Sequence, residues 1–293
     1  MTKKILCAAL AFLLALCGVC AQAQVYLEQP RDNWYQCPLL RITALNTAQS
    51  DCLLLECGGE AMMIDGGSEP YRAYLKAAVE KKGITHFKYL LNTHYHEDHI
   101  SGLYWLMRYG FTADAYLHPY TGYAEKIITR HQRTVAQARN AGIPVQQVFG
   151  GDTLMLGEAI ITLYRDETSE TTNGKSLVSK VQLGDCTILL TADIIGKTQT
   201  LLAQTLPEGE LDVDIVKAPH HGITAMTLPF WNAVTPEAVF ITNIESKAHP
   251  AIVQAQTRQV PVFLSGNGDV VMETDGTDWY VYQTPISDEM GER

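Results

Sequence analysis

Basic side chains are scarce in this sequence of 293 residues, which has 22 lysines and arginines against 32 aspartates and glutamates. Its formal net charge of −10 gives the surface no general attraction for nucleic acid or for anionic membranes. Binding to DNA or RNA would need a local basic groove, and no cluster of basic residues indicates one. Nucleic acid is therefore an allowed but disfavoured partner.

Long apolar runs are also missing beyond the N-terminus, so we expect no membrane span in the folded chain. The apolar run Ile5–Val19 is short for a bilayer and directly follows Lys3 and Lys4. Small residues then occur at Ala21-Gln22-Ala23, which completes the pattern of a cleavable secretory signal. We expect residues 1–23 to be a signal peptide and the mature protein to be secreted or periplasmic.

A lipid anchor is the alternative interpretation of this segment, because Cys17 and Cys20 lie within it. The residues before them, Leu16 and Val19, are bulkier than the small residue that usually precedes a lipid-modified cysteine. We therefore favour cleavage after Ala23 over lipidation.

Few cysteines remain after residue 23, and none of them has the Cys-x-x-Cys spacing of a metal site. They are Cys37, Cys52, Cys57 and Cys186. In an oxidising compartment these cysteines can form two disulfides, and buried free thiols are the alternative. The sequence leaves the pairing open, and we expect cysteine to be structural here rather than a metal ligand.

Strands and helices alternate along the chain, without a coiled-coil pattern or a short repeat. Pro70–Lys82 has helical spacing, Phe87–Leu91 is typical of a strand, and Leu103–Tyr109 is predicted to be a short helix. This order predicts an α/β fold with two sheets packed face to face and helices outside. Residues 24–293 suit a single large domain. The polar stretch Arg165–Lys175 is predicted to be an active-site loop.

The densest group of ligand-type residues is His94-Tyr95-His96-Glu97-Asp98-His99, directly after the predicted strand Phe87–Leu91. Imidazole and carboxylate together suit zinc, iron or manganese. A short loop at a strand end can direct His94 and His96 to one side and Asp98 and His99 to the other. The spacing therefore indicates room for two neighbouring metal ions, and a polar surface loop is the alternative.

Further residues of ligand type follow predicted strands or begin a helix. They are Asp65, Asp193, His220, His221 and His249. Asp65 could brace the histidine segment or form a simple turn, and Asp193 could bind metal or cap a helix. The adjacent pair of histidines favours a ligand, whereas a lone histidine before a proline is usually a cap or surface residue. Active sites of layered α/β proteins gather at such strand ends, so we expect these residues to share one site.

These motifs resemble those of the metallo-β-lactamase superfamily. The histidine segment matches its His-x-His-x-Asp-His signature, and Asp65-Gly66-Gly67 matches its Asp-Gly-Gly turn. Within the superfamily the chain is most similar to the hydrolase domain of ComEC-type competence proteins, which also occurs free-standing. The segments that carry this similarity are Thr47-Ala-Gln-Ser-Asp51, Asn173-Gly-Lys-Ser-Leu-Val178, Ala218-Pro-His-His-Gly222 and His249-Pro250. The resemblance extends from about Leu40 to Gln283.

The resemblance implies an αββα four-layer sandwich with a two-metal site in its edge cleft. The implied ligands are His94 and His96 for the first metal, Asp98, His99 and either His220 or His221 for the second, and Asp193 as a bridge. Of the histidine pair we assign His220 to the metal, and we assign His221, with Asp98 and His249, to catalysis. The implied cofactor is two zinc ions, with manganese or iron as alternatives.

The chain departs from many superfamily members in one respect. They supply a third histidine to the first metal from a later strand, which here ends Leu163-Tyr164-Arg165. The ComEC-type group commonly lacks this ligand as well. The departure therefore supports the subgroup, and it leaves open whether one or two metals bind.

The function that these motifs imply is a secreted metal-dependent hydrolase that attacks a phosphodiester or related phosphate ester with a metal-bound hydroxide. The subgroup alone implies a nuclease, and the acidic charge makes a small phosphodiester equally plausible. One alternative is a β-lactamase or lactonase, and another is a non-catalytic metal-binding domain. The substrate and the oligomeric state stay open.

We predict that the exported protein begins near Gln24, because the charged, apolar and small-residue regions of a secretory signal occur in order before it. N-terminal sequencing of protein recovered outside the cytoplasm would check this. A mature chain that begins with a lipid-modified Cys17 or Cys20 would show that the lipoprotein interpretation is correct.

Overall fold

The computed structural model describes residues 23–32, 34, 39–119 and 125–285. Cys37 and the predicted signal segment up to residue 22 lie outside these residues. The described strands are β1 (Val25–Tyr26), β2 (Leu40–Ala44), β3 (Cys52–Cys57), β4 (Glu60–Gly66), β5 (His86–Leu91), β6 (Thr112–Pro119), β7 (Val145–Val148), β8 (Thr153–Leu156), β9 (Ala159–Tyr164), β10 (Val178–Leu183), β11 (Cys186–Leu190), β12 (Ile215–Lys217), β13 (Ala238–Ile241), β14 (Val262–Leu264), β15 (Val270–Thr274) and β16 (Trp279–Gln283). The described α-helices are α1 (Arg72–Lys81), α2 (Glu97–Arg108), α3 (Glu125–Asn140), α4 (Gly196–Thr205), α5 (Leu228–Val234) and α6 (His249–Thr257).

The strands form two sheets. Sheet A has the order β1-β16-β15-β2-β3-β4-β5-β6-β7, and sheet B has the order β14-β13-β12-β11-β10-β9-β8. Strands β4 to β7 run parallel in sheet A, as do β11 to β14 in sheet B. Parallel strands place their carboxyl ends at one edge of a sheet, and the predicted ligands follow several of these ends.

The sheets face each other across the central core, and helices cover their outer faces. In β3, Leu53 and Leu55 join the core between the sheets, whereas Cys52 and Leu54 pack with α1 and α2. Because successive side chains of a strand point to opposite faces, a strand covered on both sides is apolar throughout. Helices α4, α5 and α6 cover the outer face of sheet B in the same way. The predicted αββα four-layer sandwich is confirmed.

Helix α2 begins earlier than the sequence pattern predicts. It runs from Glu97 rather than Leu103, with His96 at its N-cap position. The polar ligand residues interrupt the apolar spacing that marks a helix, so the pattern missed the first turns. Asp98 therefore lies in the first turn, where a carboxylate is favourable near the positive end of the helix dipole.

Three short strands, β1, β7 and β8, were not predicted from the sequence. They lie at sheet edges and β7 and β8 are partly exposed, so they lack a strong apolar pattern.

Cys52, Cys57 and Cys186 are buried free thiols, which matches the alternative to disulfides for these cysteines. No helix of the described ranges is long and apolar enough to cross a bilayer.

A glycine contact fixes helix α2 against the end of β4. A Cβ on Gly102 would lie 1.8 Å from the carbonyl oxygen of Gly66, and a Cβ on Gly66 would lie 2.4 Å from the amide nitrogen of Leu103. The Gly102 amide also donates a hydrogen bond to the Gly67 carbonyl at 3.0 Å. The two backbones can approach this closely only because both positions are glycine.

We predict that Gly102→Ala destabilises the protein by about 2 kcal/mol or more, because the new methyl group must push helix and strand apart. Urea denaturation would measure this loss. Gly196→Ala is the matched control, since its Cβ would meet a single methyl group, Cγ2 of Thr227, at 3.2 Å. Equal stability of both variants would contradict the close-contact argument.

Candidate metal centre

The predicted ligand residues lie together at the edge where parallel strands of both sheets end. Sheet A contributes the residues that follow β5 and begin α2, and sheet B contributes those that follow β11 and β12. In chain order these residues are His94, His96, Asp98, His99, Asp193, His220 and His221. One half of the site therefore comes from each sheet.

Asp193 lies at the centre of the group and is buried. Its Oδ2 is 3.3 Å from Nε2 of His99 and 3.4 Å from Nε2 of His221. Nε2 of His94 and Nε2 of His220 are each 3.8 Å from the same oxygen. Four imidazoles thus surround one carboxylate.

Three groups of side chains offer metal-ligand atoms that lie within 4.8 Å of one another, and one of them, Asp65, His94 and His99, lies behind the two that contain Asp193. The group that we call the first position is His94, His96 and Asp193, and the group that we call the second position is Asp51, His99, Asp193 and His221. Asp98 borders the second position, with Oδ2 3.3 Å from Nε2 of His221. Asp193 belongs to both positions, which is the arrangement of a bridging ligand.

The residues present fit a bound metal. His99 Nε2, His221 Nε2 and Asp193 Oδ1 are buried and have no hydrogen-bond partner among the described residues. Buried polar atoms without partners are costly, and several that converge on one point call for a ligand. Nε2 of His94 also lies 3.2 Å from Nδ1 of His96, so the two rings can share a hydrogen bond without metal, and both belong to the first position. Imidazole and carboxylate are donors that zinc, iron and manganese accept.

For Asp65 and Asp193 the sequence also allows purely structural roles. Asp65 does more than form a turn, since its Oδ1 accepts a hydrogen bond from the Thr93 amide at 2.8 Å. Its Oδ2 lies 2.7 Å from Nδ1 of His99, which directs the other ring nitrogen towards Asp193. Helix α4 has Ile195 at its N-cap position, so Asp193 does not cap that helix.

A buried pair of opposite charges supports His221 and was not predicted from the sequence. Asp51 Oδ1 lies 3.2 Å from Nδ1 of His221, and Asp51 Oδ2 lies 2.9 Å from the ammonium of Lys217. Thr242 donates a hydrogen bond to Asp51 Oδ1 at 2.6 Å. The available signal was a lysine in the otherwise apolar strand end Ile215–Ala218, because a charged residue there needs a buried partner.

The two adjacent histidines have different surroundings. His221 is buried and belongs to the second position, whereas the side chain of His220 is 27% exposed and belongs to neither position. Nε2 of His220 lies 3.2 Å from Nδ2 of Asn173, which places the end of the predicted loop Arg165–Lys175 beside the site. Both histidines have positive φ angles, of 51° and 53°, a conformation that is uncommon for residues other than glycine. His221 therefore belongs to the group that could hold a metal, and the assignment of His220 to the metal and His221 to catalysis stays a prediction.

Two other positions discussed from the sequence lie apart from the cluster. His249 is an exposed residue at the start of α6, and no described ion pair, hydrogen bond or ring contact joins it to the ligands. Its catalytic role stays a prediction. Tyr164 packs with the helical layer over sheet B, and its hydroxyl donates a hydrogen bond to Glu210. Tyr164 therefore does not stand in for the third histidine of other superfamily members.

Nearby carboxylates divide the imidazoles into two electrostatic classes. Burial lowers the pKa of both His99 and His221, but attraction to nearby carboxylates raises each pKa by more. These carboxylates are Asp193 and Asp65 for His99, and Asp193 and Asp51 for His221. The pKa of His99 rises well above its usual value, and that of His221 rises to about 10. Burial and the neighbouring His99 instead hold the pKa of His94 well below its usual value. Without metal, protonated His99 and His221 therefore supply positive charge at the second position.

We predict that the chelated protein loses stability as the pH rises from about 6.5 towards 10. The pKa of His221 is raised from 6.5 to about 10 on folding, so its stabilising contribution is complete below 6.5 and is lost as the pH rises through the folded-state value. Urea denaturation in the presence of chelator, at a series of pH values, would measure this change.

The zinc-loaded protein serves as the control for that series. Metal must displace the protons from His99 and His221, so its binding should tighten as the pH rises through the same interval. A chelated protein whose free energy of unfolding is constant or increases over the interval would contradict the assigned charges.

Comparisons with known proteins agree with this architecture. CmlA, a diiron beta-hydroxylase from Streptomyces venezuelae, is similar with a TM-score of 0.51 and 16% identity, over 78% of this chain and 52% of that protein. YhfI, a metallo-beta-lactamase fold protein from Bacillus subtilis, has a TM-score of 0.50 and 10% identity, over 78% of this chain and 96% of that protein. This chain spans about half the length of the hydroxylase. At these identities the likeness concerns the fold alone, and no curated protein matches the chain.

The family model gives the stronger result. The model of the metallo-beta-lactamase superfamily matches residues 45–230, more than half of the chain. That span contains both metal positions described above. The chain therefore belongs to the metallo-β-lactamase superfamily, whose members are mostly metal-dependent hydrolases.

Proposed function

We propose that the protein is an exported two-metal hydrolase that cleaves phosphodiesters or related phosphate esters. The observation that carries the proposal is the pair of adjacent ligand positions that share buried Asp193. Two divalent ions held there would lower the pKa of bound water towards about 7 and balance charge on the substrate oxygens. Zinc is the proposed metal, with manganese or iron as alternatives.

Asp98 is the residue that we assign to the attacking water. Its side chain is 30% exposed, so it borders both the second position and solvent. Burial alone would raise its pKa, but the contacts with His221 and His99 lower it to about 2. Asp98 is therefore ionised at neutral pH and can accept a hydrogen bond from water at this side of the site.

The substrate class follows from charge and from the subgroup motifs. A phosphodiester presents oxygens on both sides of phosphorus, which suits a pair of metal positions. The ComEC-type motifs favour a nuclease-like esterase, whereas the net charge of −10 opposes a long nucleic acid. We therefore propose a small phosphodiester as the substrate.

A β-lactamase or lactonase is less well supported. Some metallo-β-lactamases use a cysteine ligand, but the nearby Cys186 lies at the start of β11, whereas Asp193 follows the end of that strand. The Cys186 sulfur instead accepts a hydrogen bond from the Thr274 hydroxyl at 2.9 Å. The described cluster thus contains imidazole and carboxylate donors without a thiolate.

We predict that Asp98→Ala lowers turnover of a chromogenic phosphodiester by at least about 100-fold while the fold persists. The side chain lies in the first turn of α2 and is partly exposed, so its loss removes little packing. Initial rates, metal content and urea denaturation would be measured on the mature protein. A chromogenic cephalosporin and single- and double-stranded DNA would be assayed beside the phosphodiester, each with and without chelator.

Glu97→Gln is the matched control for this variant. Glu97 is the neighbouring acid in the same turn, and its Oε1 accepts a hydrogen bond from the Glu69 amide at 2.8 Å rather than facing the ligands. We expect Glu97→Gln to retain activity. Chelator-sensitive turnover of Asp98→Ala near the wild-type rate would refute the role of Asp98, and cephalosporin hydrolysis without phosphodiester cleavage would refute the substrate class.

A further inference from the structure

Lys217 is a lysine with no exposed surface, and it lies at the end of β12. Its ammonium lies 2.9 Å from Asp51 Oδ2 and donates hydrogen bonds to the carbonyls of Ala192 at 2.8 Å and Ala218 at 3.3 Å. An ammonium has three N–H donors, and each of them has an acceptor here. The group is therefore fully satisfied within the protein.

Each of these contacts leads to a residue of the second position. Ala192 directly precedes Asp193 and has a positive φ of 46°, so its carbonyl contact holds an uncommon backbone conformation. Ala218 begins the turn that carries His221. Asp51 accepts from the ring of His221 on the side away from Asp193. One buried ammonium thus connects three chain segments that place metal-ligand atoms.

Stability alone gives a weak reason for a charge at this point. Burying an ion pair removes two charges from water, and apolar replacements of similar volume are often neutral or stabilising. Hydrogen bonds to the groups that orient metal ligands have a larger effect, because they fix ring orientation and ligand basicity. The contacts of Lys217 are of this second kind.

We propose that Lys217 is a positioning residue of the metal centre, which holds Asp51 and the turns of Asp193 and His221 in the geometry that the second metal position requires. It touches neither substrate nor metal and acts through these three partners. The role concerns metal binding, so it is independent of which ester the enzyme cleaves.

The test uses Co²⁺ titration of the metal-free mature protein, followed by the visible absorption of the bound ion. We expect Lys217→Met to weaken Co²⁺ binding at the second position by about 10- to 100-fold and to alter the absorption of that ion, with a smaller loss at the first position, which shares Asp193. Asp51→Asn should give a similar loss, since it removes the carboxylate charge and one of the two oxygens that contact Lys217 and the His221 ring. The double variant Asp51→Asn/Lys217→Met should bind Co²⁺ no more weakly than the single variant with the lower affinity, because both substitutions act through one network of contacts.

Lys180→Met is the matched control, because Lys180 also donates to a backbone carbonyl, that of Glu210 at 2.7 Å, without contact to the ligands. Urea denaturation of each metal-free variant separates loss of fold from loss of metal. If Lys217→Met does not fold, the same titration of Lys217→Gln decides the question, because Asp51 is itself a candidate ligand of the second position and its variant alone cannot separate the two roles. Wild-type affinity and spectrum in a folded Lys217→Met or Asp51→Asn, or losses that simply add in the double variant, would overturn the proposal. The absence of phosphodiesterase activity would affect the proposed function alone.

Discussion

The metal centre depends on carboxylates that are held away from water. Asp51, Asp65 and Asp193 are all buried, and a buried charge is strongly unfavourable unless it is paired and hydrogen-bonded. In the metal-free protein the paired groups are imidazoles whose pKa the carboxylates raise, His99 and His221. A divalent cation would balance the same negative charge, and it carries more positive charge in a smaller volume than a protonated imidazole does. The buried negative charge of these carboxylates therefore favours a cation at this point.

The pairing of charges also joins the two sheets. Asp51 directly precedes β3 and Asp65 lies in β4 of sheet A, whereas Asp193 follows β11 and Lys217 ends β12 of sheet B. Thr242, at the end of β13, reaches Asp51 across 191 residues of sequence. The core between the sheets sets the distance at which these groups meet, so a disturbance of that packing should reach the metal positions.

The spacing of residues along the sequence predicted the fold and most residues of the candidate site. The features that it did not predict depend on contacts between residues that are far apart in sequence. The His94–His99 segment could be predicted because its ligands lie close together in sequence after a strand. The start of α2 could not, because ligand residues replace the apolar positions that reveal a helix. Asp51 and Lys217 are far apart in sequence, and their pairing depends on how the sheets face each other. The different burial of His220 and His221 likewise accompanies two positive φ angles that residue type does not indicate.

The candidate ligands differ in burial, so one side of the site is closed to solvent and the other side is exposed to it. The side chains on the closed side are buried, and they are His94, His99, Asp193 and His221. Asp51 contacts Nδ1 of His221, and Asp65 contacts Nδ1 of His99. The side chains of Asp98 and His220 are 30% and 27% exposed, so they border the solvent side. The site is open to solvent on this side, because the inner residues are buried. The same asymmetry separates the two adjacent histidines, since His221 is buried beside the inner residues, whereas His220, in contact with Asn173, is partly exposed.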